Sequence, residues 1–538
     1  MPPPLTNTCQ NNDQAPAGRR ALLVFPRYTP SFGTFEYAFP LVGAKAFMPP
    51  QGLLVIAAAL PETWQVRFVD ENLAAASPRD FVWAEVVLVS GMHIQKNQIN
   101  DINCRAHAAG KTTVLGGPSV SASPDDYPGF DYLHLGELGD ATDALIARLA
   151  HDPTRPAHQV RFVTEHRRDL TAFPLPAYEL ADLKTYFMGS IQFSSGCPYD
   201  CEFCDIPALY GRIPRLKSPE QVCAELDKLR ACGIRDSVYF VDDNFIGNRK
   251  AARDLLPALT AWQKANGYPY RFACEATLNI AKRPEILAEM REANFQTIFC
   301  GIETPEPDAL HAMDKAHNLM VPILEGIERL NSFGFEVVSG IIMGLDSDGP
   351  ETPRHILDFV EASQIPLLTI NLLQALPRTR LWDRLAAEHR ISEDEALESN
   401  VVFRRPYAQI VEGWRACIAA AYAPEALFAR FEHQVRATYP NRLQPPRTVT
   451  AADLKRGVST LARVLWTCGV QAPYRRQFWA FAWPKLKALD IERVISVGVV
   501  SHHLLSFARE AAQGRQNASF YSPKASPRAV PALAVAAN

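Results

Sequence analysis

The chain has 538 residues, of which 47% are hydrophobic and 21% are charged. This balance is ordinary for globular proteins and excludes a wholly disordered chain. The 55 Lys and Arg residues nearly balance the 58 Asp and Glu residues, so the net charge of −3 provides no basic surplus for binding nucleic acid. At roughly 150 residues per domain, the length predicts three or four folded units.

The ends of the chain predict a cytoplasmic protein with two disordered tails. Residues 1–19 are polar and rich in Pro, and they lack the apolar core of a secretory signal. Residues 513–538 are rich in Ser, Pro and Ala and show no period of a helix or a strand. The best apolar runs, such as Leu53–Leu60, are far shorter than the ~20 residues that a membrane span needs.

The first predicted domain covers residues 20–155, where apolar runs alternate with amphipathic stretches. Strands are predicted at Ala21–Phe25, Gln65–Val69, Glu85–Ser90 and Thr112–Leu115, and helices at Gly52–Leu60 and Asn97–Ala109. This α/β rhythm is typical of a doubly wound, Rossmann-like parallel sheet, whose ligands lie beyond the carboxyl ends of the strands. Residues 156–185 are polar and contain several Pro residues, so we expect a linker there.

A second series of strands predicts a further domain at residues 186–400. Its strands are predicted at Ile191–Ser194, Ser237–Val241, Arg271–Glu275, Thr297–Gly301, Glu336–Ile342 and Leu367–Leu372. The repeat of roughly 25–40 residues matches βα units, and six units are too few for a closed eight-fold barrel, so we expect a partial barrel. Residues 401–512 are predicted to be α-helical, with helices near 413–431, 452–466 and 475–488.

Three of the eleven cysteines lie close together, at Cys197, Cys201 and Cys204, with the spacing C-x3-C-x2-C. In the cytosol, clustered cysteines indicate metal binding or catalysis rather than disulfides. Three thiolates can ligate three irons of a cubane and leave one iron open, whereas ferredoxins and structural zinc sites usually supply four ligands. The other eight cysteines are scattered singly, and we expect most of them to pack in the core.

The cysteine loop follows the first strand of the second series, and in this it resembles the signature of the radical S-adenosylmethionine (SAM) superfamily. The resemblance implies a partial (β/α)6 barrel in which Cys197, Cys201 and Cys204 hold a 4Fe–4S cluster. The open iron of that cluster would chelate S-adenosyl-L-methionine. One electron then cleaves the sulfonium to methionine and a 5′-deoxyadenosyl radical.

Acidic residues at three strand ends resemble the superfamily's SAM contacts. Asp242 and Asp243 follow the second strand, where the superfamily meets the methionine amino group, and a carboxylate suits an ammonium. The sequence leaves open which of the two points inward, and a plain turn is the alternative. Glu275 and Glu303 end the third and fourth strands and are candidates for holding ribose hydroxyls, with simple salt bridging as the alternative.

Two glycines and one turn complete the match to the barrel. Gly340 and Gly344 resemble the superfamily's G-x-I-x-G strand, which lets adenine approach the backbone because Gly has no Cβ. The turn Leu376–Leu381 resembles a Pro-Gly-Thr turn in which Arg378 replaces the Gly.

The first domain resembles the cobalamin-binding module of the class B, cobalamin-binding radical SAM methyltransferases. Its matches are the segment Pro49–Leu54, the pair Gly116 and Gly117 after a strand, and the segment Gly136–Gly139. Gly-rich strand ends also suit a nucleotide or a purely structural role. The motif Asp-x-His-x-x-Gly, whose His ligates cobalt, is absent, and His93 is offered instead, either as a cobalt ligand or as an ordinary loop histidine.

Together the two modules imply a cobalamin-dependent radical C-methyltransferase that acts on an unactivated carbon. Its cofactors would be a 4Fe–4S cluster, S-adenosyl-L-methionine and cobalamin. No protein base is required for hydrogen abstraction, so no catalytic side chain is assigned. The alternatives are a cobalamin-dependent radical cyclase or rearrangement enzyme, and a non-catalytic cobalamin sensor, which predicts no cluster.

Residues 32–52, the loop at 90–99 and the helical carboxyl-terminal domain most resemble the hopanoid C-2 methylase group. This resemblance predicts a hopanoid, a lipid-like small molecule, as the substrate. It also implies an electron donor such as flavodoxin or ferredoxin. A lipid substrate would need at most peripheral contact with the inner membrane.

Overall fold

The structure is a computed structural model that describes residues 18–446 and 450–515. The predicted tails, residues 1–19 and 513–538, therefore lie outside the described residues except for 18–19 and 513–515.

The first domain is a parallel sheet covered by helices. Its strands are β1 (Arg20–Phe25), β2 (Gln65–Asp70), β3 (Val86–Ser90), β4 (Thr112–Gly116), β5 (Tyr132–Leu135) and β6 (Val160–Val163). Its helices are α1 (Phe39–Val42), α2 (Gln51–Ala59), α3 (Pro78–Trp83), α4 (Lys96–Ala108), α5 (Pro118–Ala122) and α6 (Asp140–His151). The strand order β2-β1-β3-β4-β5-β6 confirms the predicted doubly wound sheet. The order reverses between β1 and β3, and such sheets bind ligands beyond the carboxyl ends at this point.

The sheet extends past the predicted domain boundary at residue 155. Tyr132 of β5 pairs with Val160 of β6, so the segment predicted to be a linker supplies an edge strand. Three of the four residues of β6 are exposed, and the strand therefore lacks the apolar run that would reveal it in the sequence.

The second domain is a six-stranded parallel barrel with one open side. The barrel strands are β7 (Gly189–Ile191), β10 (Asp236–Phe240), β11 (Tyr270–Glu275), β12 (Phe295–Glu303), β13 (Glu336–Met343) and β14 (Leu367–Leu372), and β8 (Ser194–Ser195) and β9 (Arg215–Leu216) form a separate two-stranded sheet. Its helices are α7 (Ile206–Tyr210), α8 (Pro219–Ala231), α9 (Arg249–Ala265), α10 (Pro284–Glu292), α11 (Pro307–Ala312), α12 (Ile323–Ser332), α13 (Thr352–Ser363) and α14 (Arg380–Ala387). The order β14-β13-β12-β11-β10-β7 leaves β7 and β14 at the edges, which confirms the predicted partial barrel.

The predicted strand Ile191–Ser194 is wrong in one respect. Ile191 ends β7, whereas Ser194 begins β8, which pairs in antiparallel fashion with β9 outside the barrel. The chain turns between the two strands because the carboxylate of Asp242 accepts hydrogen bonds from the backbone N–H groups of Phe193 (2.7 Å) and Ser194 (3.0 Å).

The carboxyl-terminal domain is helical, as predicted. It consists of α15 (Tyr407–Ala421), α16 (Pro424–Ala437), α17 (Ala451–Trp466), α18 (Arg475–Lys487) and α19 (Ile491–Ala512), with a π-helical turn at Thr467–Gln471 between α17 and α18. The helix predicted near 413–431 is two helices, because Pro424 cannot continue α15 and instead begins α16. Among the described residues, no helix combines the length and the apolar character needed to cross a bilayer.

A candidate cofactor site between the two sheets

The three cysteines lie in one loop directly after β8. Each thiol is free of disulfides and partly buried. Burial raises the pKa of all three thiols, that of Cys201 to about 11. The loop therefore offers three sulfur donors whose ionised forms need a positively charged partner. An iron–sulfur cluster supplies that partner, and the donor set fits one.

Two consecutive carboxylates after β10 hold the backbone that leads into this loop. Asp242 is fully buried, and its second oxygen accepts a hydrogen bond from the Ser194 hydroxyl (3.1 Å) in addition to the two backbone N–H groups. Asp243 accepts a hydrogen bond from the N–H of Gly196 (2.6 Å), the residue before Cys197. Burial raises the pKa of Asp242 to about 7 and that of Asp243 to about 6.

Asn244 completes this carboxylate and amide series. Its Nδ2 lies 3.9 Å from the Sγ of Cys197 and 3.5 Å from the Thr277 hydroxyl. Its buried Oδ1 has no hydrogen-bond partner. A polar group so placed beside a cysteine is available to a ligand at the loop.

The structure brings Glu275, Glu303 and Gly340 towards the same carboxyl-terminal end of the barrel. Burial, together with the negative charge of Asp243, raises the pKa of Glu275 to about 7. Glu303 is buried in an ion pair with Lys315, and its φ of 68° is rare for a residue other than Gly. A Cβ on Gly340 would lie 3.7 Å from a carboxylate oxygen of Glu303, so this glycine faces the same space.

Lys315 lies between the carboxylates and the cysteines. Its Nζ is 5.4 Å from the ring centroid of Phe203, the residue before Cys204, and its charge lowers the pKa of the Cys201 thiol against the effect of burial. Lys315 has no signal in the sequence, because it lies outside any strand end and far along the chain from the cysteines.

Gly344 and Arg378 both have a positive φ. Gly344 has a φ of 96°, and a Cβ there would come within 2.4 Å of a ring carbon of Phe403. Arg378 has a φ of 65°, so it adopts the left-handed conformation that the Gly of the resembled turn favours. The turn Leu376–Leu381 therefore keeps a backbone conformation that Gly favours, although Arg378 stands at this position.

A cavity of about 290 Å³ lies between the first sheet and the barrel. All three Gly-containing segments of the first domain line it, through Gly52 of α2, Gly116 and Gly117 at the end of β4, and Gly136 after β5. A Cβ on Gly52 would meet no atom within 4 Å, so the cavity is open at this position. The lining is largely apolar side chains of α2 and α6 together with these glycines, and such a lining is typical of a small-molecule or cofactor site.

The far wall of the same cavity belongs to the barrel. Ser195, Tyr210 and Asp243 line it, so the cavity reaches the start of the cysteine loop. Glu137 of the first domain forms an ion pair with Arg215 of β9 and accepts a hydrogen bond from the Ser195 hydroxyl (3.0 Å). The two domains are therefore joined at the edge of the cavity.

His93 lies at one side of this junction. It begins a short 3-10 helix after β3, and its Nε2 is 3.8 Å from the carboxylate of Asp205, the residue after Cys204. Burial lowers the pKa of His93. The residues that line the cavity do not include His93.

Comparison with known proteins agrees with this arrangement. The chain is 61% identical to the hopanoid C-2 methylase of Rhodopseudomonas palustris over 517 residues, which cover 96% of this chain and 98% of that protein. It is 35% identical to an uncharacterised methyltransferase of Synechocystis, over 91% of this chain and 92% of the relative. The chain belongs to the hopanoid C-2 methylase family. The predicted assignment to radical SAM methyltransferases is thereby confirmed.

The parts of the chain match two family models. The model of the radical SAM superfamily matches residues 191–360, and a domain of unknown function (DUF4070) matches residues 379–517. The radical SAM methyltransferase TsrM of Kitasatospora setae, solved with cobalamin and a [4Fe–4S] cluster, has a TM-score of 0.58 at 15% identity and covers 92% of this chain and all of its own. This chain thus shares the fold of that enzyme.

Proposed function

We propose that this chain is a cobalamin-dependent radical SAM methyltransferase that methylates C-2 of a hopanoid. The observation that carries the proposal is the identity of 61% over nearly the whole chain with a protein named hopanoid C-2 methylase. The cofactors would be a 4Fe–4S cluster, S-adenosyl-L-methionine and cobalamin. Three sulfur donors and an open cavity beside them support this set.

The residues of the chain have separate tasks in this proposal. Cys197, Cys201 and Cys204 would hold the cluster. When bound, the cluster would supply the electron that cleaves SAM, and cobalamin would supply the methyl group. Asp242 and Asp243 fix the backbone before the first cysteine, and the apolar walls of the cavity would limit the access of water to the reacting groups.

Asp243 is the better candidate of the two aspartates for the SAM amino group. Both oxygens of Asp242 are engaged by Phe193 and Ser194, whereas Asp243 lines the cavity and binds only Gly196 through one oxygen. A buried carboxylate with a free oxygen suits an ammonium group. Glu275, Glu303 and Gly340 remain candidates for the ribose and the adenine.

The proposed reaction also needs an electron donor and access to a lipid. A flavodoxin or a ferredoxin would supply the electron. The enzyme would lie in the cytoplasm and reach its lipid substrate by peripheral contact with the inner membrane.

The lipids of a hopanoid-producing host test the function directly. A strain that lacks the gene should contain no 2-methylhopanoid, and the restored gene should return a product one methyl heavier. Methyl-labelled methionine should place the label in that product. A rearranged product without label would instead identify a cyclase or rearrangement enzyme, and unchanged lipids would contradict the proposal.

Replacement of one cysteine tests the site. Cys201→Ala should abolish cleavage of SAM to 5′-deoxyadenosine and lower the iron content, while cobalamin binding persists, because the Gly-containing segments that line the cavity are unchanged. Cys104→Ala, at an exposed cysteine in the first domain, is the matched control and should retain both cofactors. Cleavage by Cys201→Ala at the rate of the wild type would contradict the ligand assignment.

A further inference from the structure

Helix α17 exposes a row of apolar side chains to solvent. Leu454, Val458, Trp466 and Val470 are 63%, 60%, 60% and 52% exposed, and exposed Ala462 lies between them. The positions from Leu454 to Trp466 are four residues apart and form one continuous ridge on α17, which Val470 extends into the π-helical turn. Single exposed apolar residues are normal on a protein, but a ridge of five is not.

The other face of α17 is fixed against the protein. Val464 is fully buried, and a Cβ on Gly498 of α19 would come within 2.4 Å of its Cγ1. Arg463 donates a hydrogen bond to the backbone oxygen of Leu41 (3.1 Å). The helix therefore has a defined orientation, and the apolar ridge faces away from the molecule.

The apolar surface continues across the π-helical turn onto α18. The indole N–H of Trp479 donates a hydrogen bond to the backbone oxygen of Gly469 (2.9 Å), which places this ring against the π-helical turn that carries Val470. The ring centroids of Trp479 and Trp483 are 6.3 Å apart, and Trp483 is 54% exposed. Two helices thus contribute to one surface, named here the α17–α18 face.

The segment that contains α17 and α18 is mostly positively charged. Residues 450–488 contain seven Lys or Arg residues but one acidic residue, Asp453, in a chain whose net charge is −3. Two of the basic residues, Arg456 and Lys485, form ion pairs with carboxylates. Arg463 is held by the backbone oxygen of Leu41 on the other face of α17, and the remaining four are exposed: Lys455, Arg475, Arg476 and Lys487.

We propose that the α17–α18 face docks on the surface of an anionic lipid bilayer. Trp and aliphatic side chains insert at the level of the headgroups, and Lys and Arg side chains attract anionic lipids. The apolar ridge favours a membrane over nucleic acid, which is recognised mainly through its phosphates. A second copy of the chain is disfavoured, because a symmetric dimer would bring two basic faces together.

The face itself is inferred from its own side chains. Its use in delivering a lipid to the cavity rests on the proposed function, because a hopanoid would have to be collected from a membrane. The experiment therefore needs separate measurements of docking and of methylation.

Flotation of the full-length, cofactor-loaded protein with lipid vesicles tests the docking. The wild type should bind vesicles of phosphatidylglycerol and phosphatidylcholine, less tightly at high salt, and should bind phosphatidylcholine alone much more weakly. The variants Trp466→Ser/Trp483→Ser and Lys455→Glu/Arg476→Glu should each lose at least about tenfold in binding, since each basic residue near an anionic surface is worth roughly fivefold.

Matched controls lie on helix α3 of the first domain. Val82 is 70% exposed and Arg79 is exposed, so Val82→Ser and Arg79→Glu make the same kinds of change on another surface. Both should bind anionic vesicles like the wild type. Unchanged iron content and unfolding midpoints establish that all variants are folded.

Methylation of a hopanoid in detergent micelles distinguishes a defect in membrane docking from a defect in catalysis. The face variants should methylate the micellar substrate at the rate of the wild type and the same substrate in vesicles about tenfold more slowly. Vesicle binding without any methylation would contradict the proposed function and leave the docking face standing. The docking face is overturned if the wild type ignores anionic vesicles, if the face variants bind them like the wild type, or if those variants lose only self-association.

Discussion

At the residue scale, the carboxylate of Asp242 combines complete burial with three accepted hydrogen bonds. It accepts from the N–H groups of Phe193 and Ser194 and from the Ser194 hydroxyl, yet burial still raises its pKa to about 7. The folded protein therefore binds a proton at this site in a pH range where the unfolded chain has released it. The stability that the bound proton contributes is complete below the ordinary pKa of an Asp side chain and is lost as the pH rises through about 7.

Asp242→Asn should remove that pH dependence. The Asn carbonyl still accepts from the two N–H groups, and its NH2 can donate to the Ser194 hydroxyl. Between pH 4.5 and 7, the free energy of unfolding of the wild type should fall relative to that of the variant by at most ~1.4 kcal/mol per pH unit. Chemical unfolding of both proteins across this range measures the difference. The exposed Asp308→Asn is the control, and a wild-type-minus-variant difference for Asp242→Asn that does not change with pH would contradict the prediction.

His93 provides a second test at a single residue. Its Nε2 lies 3.8 Å from the Asp205 carboxylate, and the side chain is not among those that line the cavity. We therefore expect His93→Ala to leave the absorption spectrum of bound cobalamin unchanged. A shift of the cobalamin bands in His93→Ala, absent in the surface control His158→Ala, would identify His93 as a cobalt ligand instead.

At the scale of elements, the sequence predicts strands and helices wherever burial leaves a local pattern. The strands β1, β10, β11 and β14 lie within one or two residues of their predicted bounds, because buried apolar residues recur along each of them. Strand β6 is missed because three of its four residues are exposed. The break between β7 and β8 is missed because Asp242, 48 residues away from Ser194, causes it. No local pattern can report a partner so distant.

Helix α19 shows what close packing of two elements requires. Gly498 lies in the middle of the helix, where Gly is intrinsically unfavourable, yet a Cβ there would come within 2.4 Å of Val464 Cγ1 on α17. The branched Val side chain is stiff, so it cannot move aside at small cost. The glycine therefore permits the close approach of α17 and α19.

Gly498→Ala should destabilise the protein by about 1–2 kcal/mol, since overpacking outweighs the gain in helix propensity. Val464→Ala in the same chain should relieve most of that cost, so the two changes should be strongly non-additive in a double-mutant cycle. Gly457→Ala on α17 is the matched control, because a Cβ there meets nothing within 4 Å, and it should stabilise by up to ~1 kcal/mol. Equal effects of Gly498→Ala and Gly457→Ala on the free energy of unfolding would refute the packing argument.

At the scale of the whole molecule, the cysteine loop closes the open side of the barrel. The loop follows the first barrel strand, and it contacts α14, which follows the last one. The carboxylate of Glu202, between Cys201 and Phe203, accepts hydrogen bonds from Arg384 Nε (2.6 Å) and Nη2 (3.2 Å), and its backbone oxygen accepts from the N–H of Leu381 (2.9 Å). The loop that would hold the cluster therefore links the two edges of the barrel, which lie at β7 and β14.

The sequence predicts the components of this site better than its connections. The cysteine spacing and the Gly-containing segments are local, so they identify the loop and the wall of the cavity without a structure. The pairs Glu202–Arg384 and Glu137–Arg215 join residues that are 182 and 78 positions apart. Each is an ordinary charged residue in its own segment, and only the packing of the two domains and of the barrel ends brings the partners together.

Arg384→Ala should loosen the cysteine loop without disturbing the fold. Glu202 would lose a bidentate partner, whereas Asp346 would keep its ion pair with Arg390 (2.6 Å). The contact is partly exposed, so we expect a moderate effect: the reconstituted variant should lose iron to a chelator about three- to tenfold faster than the wild type. Arg384→Lys keeps the charge but not the forked geometry, so its rate of iron loss should lie between those of the wild type and Arg384→Ala. Arg354→Ala, which removes two exposed ion pairs on α13, should lose iron at the wild-type rate, and a similar acceleration in that control would show that the effect is not transmitted through the loop.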